Sequence, residues 1–388
     1  MSPEPTPLPA GLEEPPAPKR TRWEEAWRLF RRNRMALAGL VIFALFFFSA
    51  VVGLALTSGS RPLFDPSTVR LQEKLRPPLS MPLLASPASG ESPALGVYLF
   101  GTDDLGRDVF ARMLQGAWVS LTVGFVAVGI SVAIGIFMGG LAGFYGQRHI
   151  RLEQLLVTAV LLTGGGLLAA GLRSWGALLL VAGHAWLFWS ISPWGLRRRK
   201  TLPAGLRFLG KNTLLVDTVI MRFVDVMLCF PSFFLILTVV ALLPASIYNI
   251  MIVIGLTSWE GTARFVRAEF LSLREQDFVA AARALGVGNF RIIFRHMVPN
   301  AVAPVLVSAT IGIASAILTE AGLSFLGFGV PPPHATWGNI LSDGKRFIFD
   351  APWLTFIPGA AILIVVLAFN LFGEGLRDIL NPRLRERR

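Results

Sequence analysis

The chain has 388 residues, 53% of them hydrophobic and only 15% charged, and its mean hydropathy is +0.60. An average soluble domain carries about 25% charged residues, so this composition cannot cover a soluble surface and excludes an ordinary water-soluble enzyme. Lys and Arg number 36 against 24 Asp and Glu, a net charge of +12 that indicates either nucleic acid or the cytoplasmic loops of a membrane protein, depending on where the basic residues sit.

Residues 1–18 hold seven of the 26 prolines and no apolar period, which predicts a disordered tail. Residues 19–34 mix Trp23, Trp27, Leu29 and Phe30 with Arg20, Arg22, Arg28, Arg31, Arg32 and Arg34, the pattern of an amphipathic helix on the membrane surface. A first span at about 35–56 follows, so 19–56 reads as one N-terminal unit. Residues 57–116 are polar and Pro-rich, with nearly balanced charge.

The second span, 117–145, places Ser131, Gly135, Gly139 and Gly143 every four residues on one face. Small residues at that spacing let a neighbouring helix approach closely in lipid, where van der Waals packing drives association. Two apolar runs at 154–172 and 175–195, separated by Arg173 and Ser174, predict a tight helical hairpin. Behind it lie RRRK at 197–200, Arg207 and Lys211. Further spans are expected at 218–243, 247–267, 300–325 and 353–375, ahead of a terminus rich in arginine. Eight spans with both ends cytoplasmic put the basic clusters on one side and the weakly charged segments on the other. The net charge then records orientation and headgroup contact, and nucleic acid is not an expected partner.

The stretch 268–299, AEFLSLREQDFVAAARALGVGNFRIIFRHMVP, is unlike an ordinary loop. Helix formers over 272–285 give an apolar face at Leu273, Phe278, Ala281 and Leu285, and Gly286 is a helix stop that enters the left-handed region without a Cβ penalty. A second short helix is expected over 288–297, ending at Pro299. An Ala-rich helix has a thin surface that can lie deep in a groove on a partner.

Ala280-Ala281-Ala282, then three residues to Gly286 and nine more to His296-Met297-Val298-Pro299, resemble the EAA signature of ABC importer permeases. FGTDDLGRD at 100–108, RRNRMALAGL at 31–40, and the runs at 317–344, 351–359 and 367–382 are similar to the C-type subunit of dipeptide, oligopeptide and nickel permeases. The resemblance implies an all-α polytopic fold of type I, with six core spans in 19–145 and 218–388 and an inserted hairpin with a basic tail at 146–217. It implies that Ala280, Ala281, Ala282, Arg283, Gly286, His296 and Pro299 couple the chain to an ATPase. It also implies a second homologous permease, two ATPase subunits that bind ATP and Mg, an extracytoplasmic solute-binding protein, and a bacterial inner membrane. The chain itself is expected to bind no cofactor and to be no enzyme. Its cargo is expected to be peptide, with nickel or another small solute as the alternative. Ala280 stands where the family has Glu.

Other signals are weaker. GLRFLGKN at 205–212 lacks the Ser or Thr that holds Mg in a phosphate-binding loop. His149, His184, His296 and His334 have no metal-ligand spacing, and the lone Cys229 excludes a disulfide. Asp225, Glu260 and Glu320 lie in or at the ends of apolar runs, where a charge is costly and faces a cavity or a partner. In the outer segment 326–352, Asp343, Lys345 and Arg346 are candidate contacts for the solute-binding protein, and Trp337 and Trp353 suit the membrane interface. An ATP-independent channel or carrier is the remaining alternative.

Overall fold

The computed structural model describes residues 30–31, 33–59, 62–83, 93–146, 149–151, 160–161, 163–165, 173–191 and 212–380. The tail at 1–18, most of the surface helix at 19–34, most of the span at 154–172, the basic residues at 197–211 and the arginines beyond Leu380 lie outside them.

Helix α1, Arg34–Thr57, begins at Asn33, whose side chain accepts a hydrogen bond from the Ala36 N–H at 3.2 Å. Such a cap satisfies one of the donors that a helix start leaves free. Helix α2, Val109–Tyr145, starts eight residues before the expected span because Asp108 caps it, accepting from the Phe110 N–H at 2.9 Å. Its 37 residues are about 55 Å long, well beyond a hydrocarbon core of about 30 Å.

Strand β1, His149–Arg151, pairs antiparallel with β2, Asn212–Leu215, and the inserted segment lies between them. A Cβ on Gly146 would lie 3.2 Å from the Asp217 Cβ, so the insertion leaves and rejoins the chain at nearly one point. Within it, α3, Arg173–Ile191, includes Arg173 and Ser174, which the sequence reading puts in the hairpin turn. Gly183 of α3 faces Val160 and Leu161.

The expected span at 218–243 is two helices, α4 at Val216–Leu228 and α5 at Ser232–Leu242, bent by 81°. Pro231 causes the bend, since it has no N–H to donate and disfavours helical geometry at Phe230. The expected span at 247–267 also divides, into α6 at Ile247–Thr257 and α7 at Glu260–Arg274, with Ser258 non-helical between them. Helix α8 is Asp277–Ala284, α9 is Val298–Phe325, α10 is Trp337–Gly344 and α11 is Trp353–Leu380. Among the described residues, α1, α2, Pro304–Phe325 of α9 and Trp353–Asp378 of α11 are long and apolar enough to cross a membrane. Taken together, α4 and α5 would make a fifth crossing.

Helix α2 is the axle, against which α1, α6, α7 and α9 all pack, while α11 joins α1 to α9. Val123 and Ala127 of α2 meet Ile250 and Ile254 of α6, Ile317 of α9 and Val365 of α11 in one buried cluster. The small-residue face of α2 lies on α7. The Ser131 hydroxyl donates to the Ser258 carbonyl at 2.8 Å. A Cβ on Gly135 would come within 2.6 Å of Thr262, and one on Gly143 within 2.5 Å of the Phe270 Cβ. On Gly139 it would stand 2.4 Å from the Ala263 carbonyl, so the α2 and α7 backbones touch there. Gly139→Leu is therefore expected to force the pair apart at a cost of about 1–3 kcal/mol or more. Thermal unfolding in detergent micelles reads that loss, and an unchanged midpoint would show that the contact does not hold α7 in place.

Candidate functional site

Helix α7 ends at Arg274, and two non-helical residues, Glu275 and Gln276, separate it from α8. The expected single helix over 272–285 is thus broken, and the break resets the helical phase. Leu273 is buried, but Ala281 and Leu285, expected on the same apolar face, are exposed, Leu285 at 82%. The side that packs inward carries Val279 and Ala282, which join Phe144 of α2, Val266 and Phe270 of α7, and Met297 in a second core. The Arg283 guanidinium lies 5.4 Å from the Phe144 ring centroid, a cation–π contact on the same side.

Gly286 ends α8 at φ +76°. Its N–H bonds to the Arg283 carbonyl at 3.0 Å, and the Val287 N–H bonds to the Ala282 carbonyl at 3.0 Å. These two bonds form a Schellman motif, which needs a left-handed residue at the glycine position. The second expected helix does not stop at Pro299. A single helical turn, Asn289–Arg291, leads into π-helical residues Ile292–Met297 and on into α9. There the Val298 N–H bonds to Ile293, five residues back, and this wider turn precedes Pro299 in the first turn of α9, where proline's missing donor costs least.

The outward surface of 277–299 is a shallow strip of small and apolar residues edged by the exposed Asp277, Arg283, Arg291 and Arg295. Ala280, Ala281, Ala284 and Gly286 are exposed, and beside them stand Phe290 and Phe294, their ring centroids 4.5 Å apart. Pro299 is exposed and His296 half-buried. Of the seven residues expected to couple, Ala280, Ala281, Gly286 and Pro299 face out, whereas Ala282 and Arg283 fasten the segment to α2.

The three carboxylates of the apolar runs are in different settings. Asp225 of α4 accepts from the Arg264 Nη2 at 2.6 Å, with Arg222 at 3.8 Å. Glu260 opens α7, and one of its oxygens is buried without a hydrogen-bond partner. Glu320 of α9 is wholly buried and accepts from the Ser324 hydroxyl at 2.7 Å, with the Ser120 and Thr336 hydroxyls alongside. It joins three elements through hydroxyls.

The sequence gives no sign of a charged cluster formed by the 103–112 segment and α10. Asp103 is wholly buried, and its carboxylate accepts from the Leu105 and Arg107 N–H groups, from Arg107 Nε at 2.7 Å and from Arg112 Nη1 at 2.6 Å. Both arginines also reach Asp343 of α10, at 3.3 and 3.0 Å. The DDLGRD run signals the local turn, but nothing in it points to a partner 240 residues later. Asp343 and Lys345, expected to face an external protein, are engaged within the chain; Lys345 donates to the Phe325 carbonyl at 3.0 Å. Arg346 is exposed. Trp337 is buried, donating to the Met113 carbonyl at 3.2 Å.

Beside this cluster, burial pushes the Asp108 carboxyl above its ordinary value, opposed by N–H groups of Phe110 and Ala111 and by Arg70. A raised carboxyl contributes stability at low pH, below its unfolded value near 4, and that contribution is lost as pH rises through the folded value. Asp108→Asn keeps a capping side chain and removes the charge that burial disfavours. It is expected to be neutral or slightly stabilising at pH 8 and less favourable near pH 4, as unfolding midpoints at the two pH values would read. The reverse order would overturn this account of the cap.

Apolar helices around a central axle, with an exposed Ala-rich segment slung between two of them, define a membrane permease. Residues 204–386 match the family of binding-protein-dependent transport system inner membrane components, and residues 21–78 match the N-terminal transmembrane domain of oligopeptide transport permease C. The chain belongs to this family and is a multi-pass inner-membrane protein. It is 34% identical to the dipeptide transport system permease protein DppC of Alkalihalophilus pseudofirmus over 388 residues, 99% of this chain and 97% of that one. It is 30% identical to the oligopeptide transport system permease protein OppC of Bacillus subtilis, over 94% of this chain and 90% of the relative. A third relative, the dipeptide permease DppC of Haemophilus influenzae, is 31% identical over 95% of this chain and 97% of its own.

Proposed function

We propose that this chain is the transmembrane permease subunit of an ATP-driven importer of peptides. The relatives that match it over nearly their whole length are named as dipeptide and oligopeptide permeases, and this carries the reading of the cargo. The exposed surface of Ala280, Ala281, Gly286 and Phe290 supports docking of a separate ATPase, because a shallow apolar ledge fits a groove on a partner. A second homologous permease completes the pore, two ATPase subunits hold the ATP and Mg, and a solute-binding protein delivers cargo outside. The chain supplies no catalytic group of its own.

In this reading, closure of the ATPases pushes α8. Val279 and Ala282 pass the displacement to α2 and α7, and the helical run from Ile292 carries it into α9. Packed interfaces move as rigid bodies, so the bundle tips and changes which side is open. Eight spans with cytoplasmic termini remain the proposed topology, with the broken segments 216–242 and 247–274 each counted once and the insertion at 146–217 as a peripheral pair in the bilayer. The basic residues of 19–34, 197–211 and 383–388 all fall on one side in that arrangement.

Reconstitution with its partner subunits tests the assignment. Peptide delivered by the binding protein should stimulate ATP hydrolysis and accumulate in the vesicles only when ATP is present. Accumulation by this chain alone would favour an ATP-independent carrier, and stimulation by nickel in place of peptide would change the cargo.

A further inference from the structure

Helices α5 and α6 have 11 residues each, about 16 Å, roughly half of the hydrocarbon core. The chain therefore breaks twice inside the membrane region, at 229–231 after α4 and at Ser258 before α7. The second break lies against α2, and the first leaves Cys229, Phe230 and Pro231 exposed. Ser258 is held by Ser131, about 33 Å from the outer end of α2 and about 21 Å from its inner end, so the break sits alongside that helix, not beyond it. The Phe223 and Trp259 rings, 5.8 Å apart, fasten α4 to the start of α7. Non-helical backbone at this depth is tolerated where it is buried in protein or borders a water-filled cavity.

Four charges stand beside these breaks. Val224 of α4 and Ala263 of α7 turn inward to α2, which leaves Arg222 and Asp225 of α4 and Arg264 of α7 on the opposite face. Their side chains are 78%, 45% and 50% exposed. Glu260, half-buried, lies one turn before Arg264 at the edge of this face, with one oxygen buried and lacking a hydrogen-bond partner. Two guanidiniums and two carboxylates make the row neutral, and Asp225 joins it through exposed ion pairs to Arg264 at 2.6 Å and Arg222 at 3.8 Å. Hydrocarbon cannot cover such a face, since an exposed charge at membrane depth must meet water or a polar partner. Discontinuous helices beside charged groups are also how membrane transporters form sites for polar solutes.

We propose that the α4–α7 face bearing Arg222, Asp225, Glu260 and Arg264 lines the aqueous path of the cargo, and that its opposite charges meet the carboxylate and ammonium of a zwitterionic peptide. The second half of this statement rests on the peptide-importer reading above; the first half does not. Mixed charge suits a path for many sequences, because each end of any peptide finds a partner without being held tightly.

The native Cys229, exposed at the first break, is the only thiol of the chain and is removed first as Cys229→Ser. Arg222→Cys and Arg264→Cys are then introduced one at a time, with Leu45→Cys on the exposed side of α1 as the control. The complete transporter in proteoliposomes is treated with charged, hydrophilic methanethiosulfonates, with and without ATP and vanadate, and with and without dipeptide. Cysteines at 222 and 264 should react, at rates that change roughly tenfold when the ATPases are trapped closed, as a path open to one side at a time requires. Dipeptide should slow the reaction, and position 45 should stay inert. Reaction as slow as at position 45 means that the second permease or lipid covers the face. A fast rate indifferent to trapping means static headgroup exposure. Either result overturns the path, even if peptide still stimulates ATP hydrolysis. Rates that follow trapping but ignore dipeptide keep the path and overturn the peptide pairing.

Discussion

Asp103→Ala is expected to destabilise the protein by about 3–5 kcal/mol, the cost of breaking a buried ion pair from one side. The carboxylate holds the 103–107 turn through two N–H groups and neutralises Arg112, whose side chain is 4% exposed. Without it, Arg112 keeps in a desolvated site only the half-exposed Asp343 and a 3.4 Å contact to the Asn339 side-chain oxygen, and Arg107 loses its shorter contact. The turn lies against other chain: a Cβ on Gly106 would fall 1.8 Å from the Arg70 carbonyl, and the Leu75 N–H bonds to the Asp103 carbonyl at 3.0 Å. Loosening the turn therefore loosens the 62–108 segment where it packs on α2, α10 and α11. Asp343→Asn should cost much less, because Asp343 is 36% exposed and solvent screens its pairs. Thermal unfolding in micelles compares the two variants. Equal, small effects would mean that the network orients the segment without stabilising it.

Ala281→Trp is expected to abolish peptide uptake while the chain still inserts and the binding protein still docks outside. Ala281 sits mid-helix on the exposed side of α8, and an indole there would hold the ATPase off the ledge. A clash of about 1–3 kcal/mol at this contact weakens ATPase binding roughly five- to 150-fold. Because Ala281 touches no core cluster, stability should not change, which separates this variant from a folding defect. Gly286→Ala makes the complementary measurement. Nothing stands within 4 Å of a Cβ there, so the only penalty is left-handed strain of about 1–2 kcal/mol. Uptake should fall modestly, and Gly286→Pro, which also removes the N–H bonded to Arg283, should fall further. Full uptake by Ala281→Trp would sink the docking role of α8.

The signals that could be read in the sequence were local or periodic. Gly286 marked a helix end because only that residue type enters the left-handed region freely, and the Schellman bonds lie within five residues of it. The four-residue repeat of Ser131, Gly135, Gly139 and Gly143 marked a face that another backbone could approach, though not which one. What failed were inferences that needed phase or a distant partner. One break at Glu275–Gln276 turned Leu285 outward and Val279 inward. Pro231 and Ser258 broke two runs that hydropathy alone reads as continuous, since a window average does not register a bend.

The order of residues was therefore enough for the class: a chain too apolar for water, crossing a membrane several times, with an Ala-rich helix that ends at a left-handed glycine. Composition and short-range stereochemistry suffice for that. The fold alone brings Arg107 and Arg112 onto both Asp103 and Asp343, lays the glycine face of α2 on α7, and gathers Arg222, Asp225 and Arg264 beside two helix breaks. These arrangements join residues from about 40 to 240 positions apart, and the energy that fixes them comes from burial and packing between helices.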